Sequence, residues 1–185
     1  MKYKLTDETK VVNNITLHRI ECVTAFDDIE CGAKGGWIES EKNLSQCGSA
    51  WVCGSAWVYG YATVSGDATV SGHAVVRDNA KVRDNSVVDG NAWVGENAIV
   101  GGNAIVREGA DYIVFKNWWS SGRYFTWTRS NNKWKVGCFY GTGDELVAKA
   151  YKDSEKSGRE YERVVKYVES ILQEEDNGNR NKREG

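Results

Sequence analysis

The sequence predicts a parallel β-helix that is capped at both ends, and three observations carry this prediction. The run from Leu44 to Asp111 repeats with a period of six residues. Each repeat holds an Ala-x-Val triplet followed by three residues rich in Gly, Asn and Asp. Segments without this period flank the run on both sides. The triplet has the alternation of a short strand, and the residues after it favour a corner.

The two invariant slots of the hexad predict the interior of this β-helix. Valine fills the same slot in ten hexads, at positions 52, 58, 64, 70, 76, 82, 88, 94, 100 and 106. Alanine fills the slot two residues earlier in each hexad except at Ser86. Residues two apart on a strand lie on the same face. We therefore expect the Ala and Val side chains to point inward together.

The hexapeptide spacing resembles that of the left-handed β-helix family. This resemblance implies a left-handed coil of three hexads, and hence about three and a half coils in this chain. Together with the Gly35-Gly-Trp-Ile-Glu-Ser40 junction and the Lys4–Val12 segment, the hexads also resemble hexapeptide-repeat proteins of phages and prophages, often labelled polymer-forming or cytoskeletal-like. That second resemblance implies a phage or prophage origin.

With three hexads per coil, the outward residue between Ala and Val stacks in three columns. The columns are Trp51, Thr69, Val87 and Ile105; Trp57, Val75 and Trp93; and Thr63, Lys81 and Ile99. β-branched and aromatic residues favour strands in any case, but apolar columns also mark covered surfaces. The covering element would be a second protomer or the C-terminal part of the chain. The first alternative predicts a homo-oligomer, a dimer or trimer, with an interface at Trp51, Trp57, Val75, Val87, Trp93 and Ile105.

The pattern divides the chain into five regions. We expect an N-terminal β cap (1–43), the β-helix (44–111), an antiparallel sheet (112–140), an α-helical hairpin (141–176) and a disordered tail (177–185). A hairpin in the first cap would turn at Asn13-Asn14. Capping-box patterns at Thr142–Glu145 and Ser157–Glu160 predict the starts of the two helices.

The predicted sheet at 112–140 is the first candidate for a binding site. It has ten aromatic residues, five Lys or Arg and no acidic residue. Aromatic rings stack on bases while cations neutralise phosphate, which makes a nucleotide-type ligand possible. Alternatively, the rings plug the open end of the β-helix and pack under the helices. The candidate binding residues are Lys116, Arg123, Phe125, Trp127, Arg129, Lys133 and Lys135.

Catalysis is the second hypothesis, because the hexapeptide-repeat family that the chain resembles includes acyltransferases that use a histidine base. The chain has two histidines, His18 in the first cap and His73 in the corner Gly72-His73-Ala74. We expect His73 to be a solvent-facing corner residue, and it is the base only if the chain is an acyltransferase. Two histidines cannot supply the three-histidine zinc site of carbonic anhydrases with this fold. We therefore expect no metal, no cofactor and no enzyme.

Bulk properties add weaker constraints. The net charge of −2 gives no overall attraction to nucleic acid, which stays possible but is not favoured, and no apolar run suits a membrane span. Five cysteines without a Cys-x-x-Cys pair fit reduced thiols in the cytoplasm. The sequence thus predicts an accessory binding protein that engages a host factor, such as a counter-defence inhibitor. The alternatives are a hexapeptide acyltransferase and a self-assembling scaffold.

Overall fold

The computed structural model describes residues 1–181 and confirms the predicted fold class. The chain is mainly β, with a parallel β-helix of hexapeptide repeats, an antiparallel sheet and two helices. It forms two compact units: Met1–Lys116 with Tyr124–Tyr140, and Asn117–Arg123 with the segment that begins at Gly141. Among residues 1–181, no helix is long and apolar enough to cross a membrane.

Each hexad of the β-helix contributes one strand of two residues. The strands are β4 (Trp51–Val52), β5 (Trp57–Val58), β6 (Thr63–Val64), β7 (Thr69–Val70), β8 (Val75–Val76), β9 (Lys81–Val82), β10 (Val87–Val88), β11 (Trp93–Val94), β12 (Ile99–Val100) and β13 (Ile105–Val106). Strands three hexads apart pair in parallel, so that Trp57 lies beside Val75 and Val75 beside Trp93. The coil of three hexads is therefore confirmed.

The β-helix has three faces, and they match the predicted columns. One face has the strand order β13-β10-β7-β4, a second contains β5-β8-β11, and the third has the order β12-β9-β6. Inside, the Val and Ala side chains of the repeats have no exposed surface. Ser86 is buried among them, and its hydroxyl donates to the carbonyl of Arg83 at 2.7 Å. The exception in the Ala column is thus satisfied by a hydrogen bond.

The N-terminal cap extends one face of the β-helix. Strands β1 (Tyr3–Val12) and β2 (Ile15–Cys22) form an antiparallel hairpin, and β3 (Lys34–Ile38) pairs with β2 and, in parallel, with β5. The turn residues Asn13 and Asn14 have φ of 50° and 63°. Positive φ at both positions suits a two-residue hairpin turn, so the predicted hairpin is confirmed.

The other two faces begin on side chains of the cap. The buried Lys2 donates from Nζ to the carbonyl of Ala50 at 2.7 Å, and Asn43 donates from Nδ2 to the carbonyl of Ala62 at 2.9 Å. At these two carbonyls of the first coil, the side chains take the place of the backbone N–H groups that a preceding coil would supply. The cap therefore satisfies the open strand edges at this end.

The far end of the β-helix is covered by a second sheet. It contains β14 (Tyr112–Lys116), β15 (Tyr124–Thr128), β16 (Lys133–Val136) and β17 (Phe139–Gly141). One hydroxyl serves each face of the last coil: Tyr112 donates to the carbonyl of Trp93 at 2.9 Å, Thr126 accepts from the N–H of Ile99 at 2.9 Å, and Ser130 accepts from the N–H of Ile105 at 2.8 Å. These bonds replace those that a further coil would make.

The second unit contains α1 (Gly143–Asp153) and α2 (Glu155–Asn181). The Thr142–Glu145 capping box is present, with the Thr142 hydroxyl 3.2 Å from the Glu145 nitrogen. The predicted cap at Ser157 is wrong, because Ser154 caps the helix three residues earlier by accepting from the Ser157 N–H at 3.1 Å.

The predicted disordered tail is only partly described. Helix α2 continues to Asn181 and so includes the first residues of the 177–185 segment, while 182–185 lie outside the described residues.

Candidate functional site

A groove of about 450 Å³ lies on the outer surface of the β5-β8-β11 face. It is larger than two other cavities of about 250 Å³ each, one near Phe26 and one between α1 and α2. Seven residues line it: Lys10, Ser55, Trp57, His73, Val75, Asn91 and Trp93. The lining combines apolar rings with a lysine and a histidine, and no carboxylate is among these residues. We take this groove as the candidate site because polar groups converge on an apolar concavity.

The β-helix ladder positions the histidine of the groove. Ser55, His73 and Asn91 occupy equivalent corners in successive coils, where the N–H of Ser55 donates to the carbonyl of Gly72 at 2.9 Å and that of His73 to Gly90 at 2.8 Å. The preceding corner residue, Gly72, has φ of +65°. His73 is exposed, as predicted, but its corner also forms one wall of the groove.

A row of three tryptophans and one valine lies on the face beside this corner. Trp37, Trp57, Val75 and Trp93 are neighbours in the ladder of one sheet. The Trp93 side chain is 59% exposed, and the guanidinium of Arg77 lies 5.5 Å from its ring centre. Such a surface can bind an apolar or flat group by contact with the ring faces.

Lys10 reaches this surface from β1 of the hairpin. Its Nζ lies 4.2 Å from the ring centre of Trp37 and 4.4 Å from that of Trp57. Among the described residues, the ammonium of Lys10 has no carboxylate partner and no hydrogen bond. Burial, and to a smaller extent the like charge of the nearby Arg19, lowers the pKa of Lys10 to about 8. The ring faces attract the ammonium, which by itself would raise the pKa. Because the pKa is lowered, the loss of hydration outweighs that attraction.

Trp57 carries a donor without a partner within residues 1–181. Its indole Nε1–H is buried and has no hydrogen-bond partner among the described residues. A buried donor without a partner is costly. No group of three or more His, Cys, Asp or Glu side chains within the described chain is arranged to hold a metal ion.

The predicted interface residues have different surroundings. Trp51 is only 4% exposed, since Tyr3 and Phe26 pack edge-on against it with ring centres 6.5 and 5.5 Å away. It is therefore covered by the N-terminal part of its own chain, and its placement in an oligomer interface is corrected. Val75 is buried, Trp57, Val87 and Ile105 are half-buried, and Trp93 is exposed. The dimer or trimer itself stays a prediction.

Two rings of the predicted binding sheet face the interior. Phe125 and Trp127 are 0% and 1% exposed. Phe125 packs at 5.5 Å against Phe115, and the Trp127 indole donates to Asn132 at 2.8 Å. Neither ring has a free face for a base, so stacking by these two residues is corrected. The sequence could not distinguish the faces of β15, because its threonines are buried as well.

The cations of that sheet mostly lie near rings of the same sheet. Lys116 is exposed beside Tyr124, half-buried Lys135 lies 5.8 Å from the Tyr140 ring centre, and Arg129 donates from Nε to the carbonyl of Ala110. Lys133 is half-buried and Arg123 is exposed. Burial of the two rings removes the stacking platform that the predicted nucleotide site needed.

Sequence reasoning missed the lysine of the groove. The corner column of Ser55, His73 and Asn91 is visible in the sequence as a spacing of three hexads. Lys10 carries no such signal, because it reaches the groove only through the course of the hairpin. A sequence pattern can locate one wall of the site but not the cation opposite it.

Comparison with known proteins found a similarity to a protein named an acetyltransferase. No protein-family model matches the chain. The chain is 32% identical over 59 residues to the uncharacterized acetyltransferase YdcK of Escherichia coli (strain K12). That alignment covers 28% of this chain and 18% of the relative, so the chain spans less than a fifth of the length of the protein it matches.

This match overturns the prediction that the chain is not an enzyme, because the similar protein is named an acetyltransferase. The regular corner around His73 carries no sequence signal for catalysis, because the groove beside it is formed by residues from several coils and from the hairpin. The fold itself is that of a β-helix repeat protein.

Proposed function

We propose that this chain is an acyltransferase that uses His73 in the outer groove as its general base. The observation that carries the proposal is the position of His73, a solvent-accessible imidazole on the wall of an apolar groove of about 450 Å³. The similarity to a protein named acetyltransferase supports the same chemistry. Acyl transfer replaces the predicted phage role and the engagement of a host factor, for which neither the fold nor the match gives support.

The reaction needs a base, a site for the acceptor and a site for the acyl donor. The imidazole of His73 takes a proton from an acceptor hydroxyl or amine, and the acceptor atom attacks the thioester carbonyl carbon. The C–S bond breaks, and the leaving thiolate takes the proton from the imidazolium. Trp57, Val75 and Trp93 offer apolar contact, while Lys10 attracts an anionic part of either substrate.

The test is the release of free thiol from acetyl-coenzyme A by the purified chain in the presence of a panel of hydroxyl and amine acceptors. His73→Ala should lower the rate by about 10²–10⁴-fold, the usual contribution of a general base. His18→Gln is the matched control, because His18 lies on β2, is not among the groove-lining residues, and contacts the carbonyl of Thr6 at 3.3 Å. Equal rates for wild type and His73→Ala, with folding intact, would contradict the proposal.

A further inference from the structure

We propose that Lys10 is itself acylated by the thioester that enters the groove. The ammonium of Lys10 and the imidazole of His73 line the same cavity. The inference rests on the proposed function, since the acyl donor must bind there. It goes beyond that function by assigning a second nucleophile and a modification site.

The surroundings of Lys10 differ from those of other lysines in the cap. Lys4 and Lys34 form ion pairs of 2.8 Å with Glu21 and Glu8, and both lysines are more than half exposed. Lys10 instead lies against two indole rings, and its Nζ forms no ion pair with a carboxylate within residues 1–181. A carboxylate holds a lysine in its charged, unreactive form, whereas an apolar cage favours the neutral amine.

The titratable and charged groups around Lys10 favour the same outcome. Arg19 on β2 is a like charge, and His73 lies on the corner before β8. Burial and Arg19 lower the pKa of Lys10 to about 8. About half of the Lys10 side chains are therefore neutral at pH 8, against well under one per cent of ordinary lysines.

The chemical step balances without any further reactant. The lone pair of the neutral Nζ attacks the carbonyl carbon of the thioester, the C–N bond forms, and the C–S bond breaks. The sulfur leaves as a thiolate, and the proton lost by nitrogen goes to the thiolate or to water. The product is an amide, which is far less reactive than a thioester. Acylation of Lys10 is thus a lasting modification that removes the positive charge from the groove, rather than a step of turnover.

The experiment follows acetylation of the full chain by acetyl-coenzyme A with peptide mass spectrometry, from pH 6.5 to 10. Lys81 is the internal reference, because it is exposed on a different face of the β-helix. At pH 8, we expect Lys10 to react on the order of tenfold faster than Lys81, since the lower nucleophilicity of a weaker base offsets part of the gain in neutral amine. Above pH 8 the ratio should fall, because ordinary lysines continue to lose protons.

Two variants separate this inference from the proposed function. Lys10→Arg should abolish the fast modification while keeping a cation over the rings, and circular dichroism checks its folding. His73→Ala should leave the modification of Lys10 in place while it lowers transfer to acceptors. Equal rates for Lys10 and Lys81 over the whole pH range would overturn the inference, even if transfer depends on His73. Fast modification without any His73-dependent transfer would support the inference and contradict the proposed function.

Discussion

Two faces of the same β-helix have equivalent interiors and very different exteriors. Beneath both the β5-β8-β11 face and the β6-β9-β12 face, the Ala and Val side chains are fully buried. Outside, the first face carries Trp57, Val75 and Trp93 and receives Lys10 from the hairpin, whereas the second carries Thr63, Lys81 and Ile99. The difference teaches that the inward slots determine the coil, while the outward and corner slots are free to form a site.

The largest effect should come from the inward slots, and it should be alike on both faces. Val76→Asp, beneath the groove, and Val82→Asp, beneath Lys81, each place a charge in a fully buried position. We expect each to destabilise the chain by about 4 kcal/mol or more, measured by urea unfolding. The outward Lys81→Asp should change stability by only about 0.5 kcal/mol. Tolerance of one inward aspartate but not the other would break the equivalence of the interiors.

The next largest effect concerns the corner column that carries His73. A Cβ on Gly72 would lie 2.8 Å from Asp89 Oδ1 and 2.9 Å from the backbone of Gly90, whereas on Gly54 its nearest neighbour is at 3.3 Å. Both glycines have positive φ, +65° and +64°, which costs an alanine about 1–2 kcal/mol.

Gly72→Ala should therefore be less stable than Gly54→Ala by about 1 kcal/mol, because only the first adds a steric clash. Thermal unfolding of the two variants side by side measures this difference. Equal melting temperatures would mean that the coil below His73 yields to the added methyl group.

A smaller effect should distinguish the outer surfaces by function. Trp93→Ala removes a ring that is 59% exposed, so it should leave stability nearly unchanged. If the ring binds substrate as proposed, the KM for acyl transfer should rise about tenfold, equivalent to about 1.4 kcal/mol. Lys81→Ala on the other face is the matched control and should leave KM unchanged. A KM that responds equally to both substitutions would remove the functional difference between the faces.

The smallest effect should be a pH dependence that belongs to Lys10. The folded-state pKa of about 8 lies below the ordinary lysine value of 10.5, so the unfolded chain binds more protons between these values. Folding stability from this group is therefore lowest below pH 8 and rises with pH up to about 10.5. The rise should be present in wild type and absent in Lys10→Met, as seen in melting temperatures from pH 7 to 10.5. Parallel curves for the two proteins would show that Lys10 is not desolvated.

The sequence was most informative where structure depends on local repetition. The period of six, the assignment of Thr69 and Val87 to one face, and the Asn13-Asn14 turn all follow from residues close together in sequence, and the structure has them as predicted. The corner column of His73 also follows from the period, although its groove does not.

The remaining features depend on contacts between distant segments. The alternation of side chains along β15 does not predict which face of the strand is covered, because both faces are covered. Phe125 and Thr126 lie on opposite faces, and both are buried. Lys10 of the hairpin contacts the ring of Trp37, which lies far along the chain. Trp51 likewise packs against the distant Tyr3. Such contacts have no period, so a single sequence does not display them.

The three hydroxyls at the far end of the β-helix bear on whether copies of this chain can form a fibre. A β-helix can grow end to end only if its last coil offers free backbone groups to the first coil of the next molecule. Here Tyr112, Thr126 and Ser130 already occupy that edge, and Lys2 and Asn43 occupy the opposite one. Coaxial polymerisation of the β-helix would therefore first have to break these bonds at both ends.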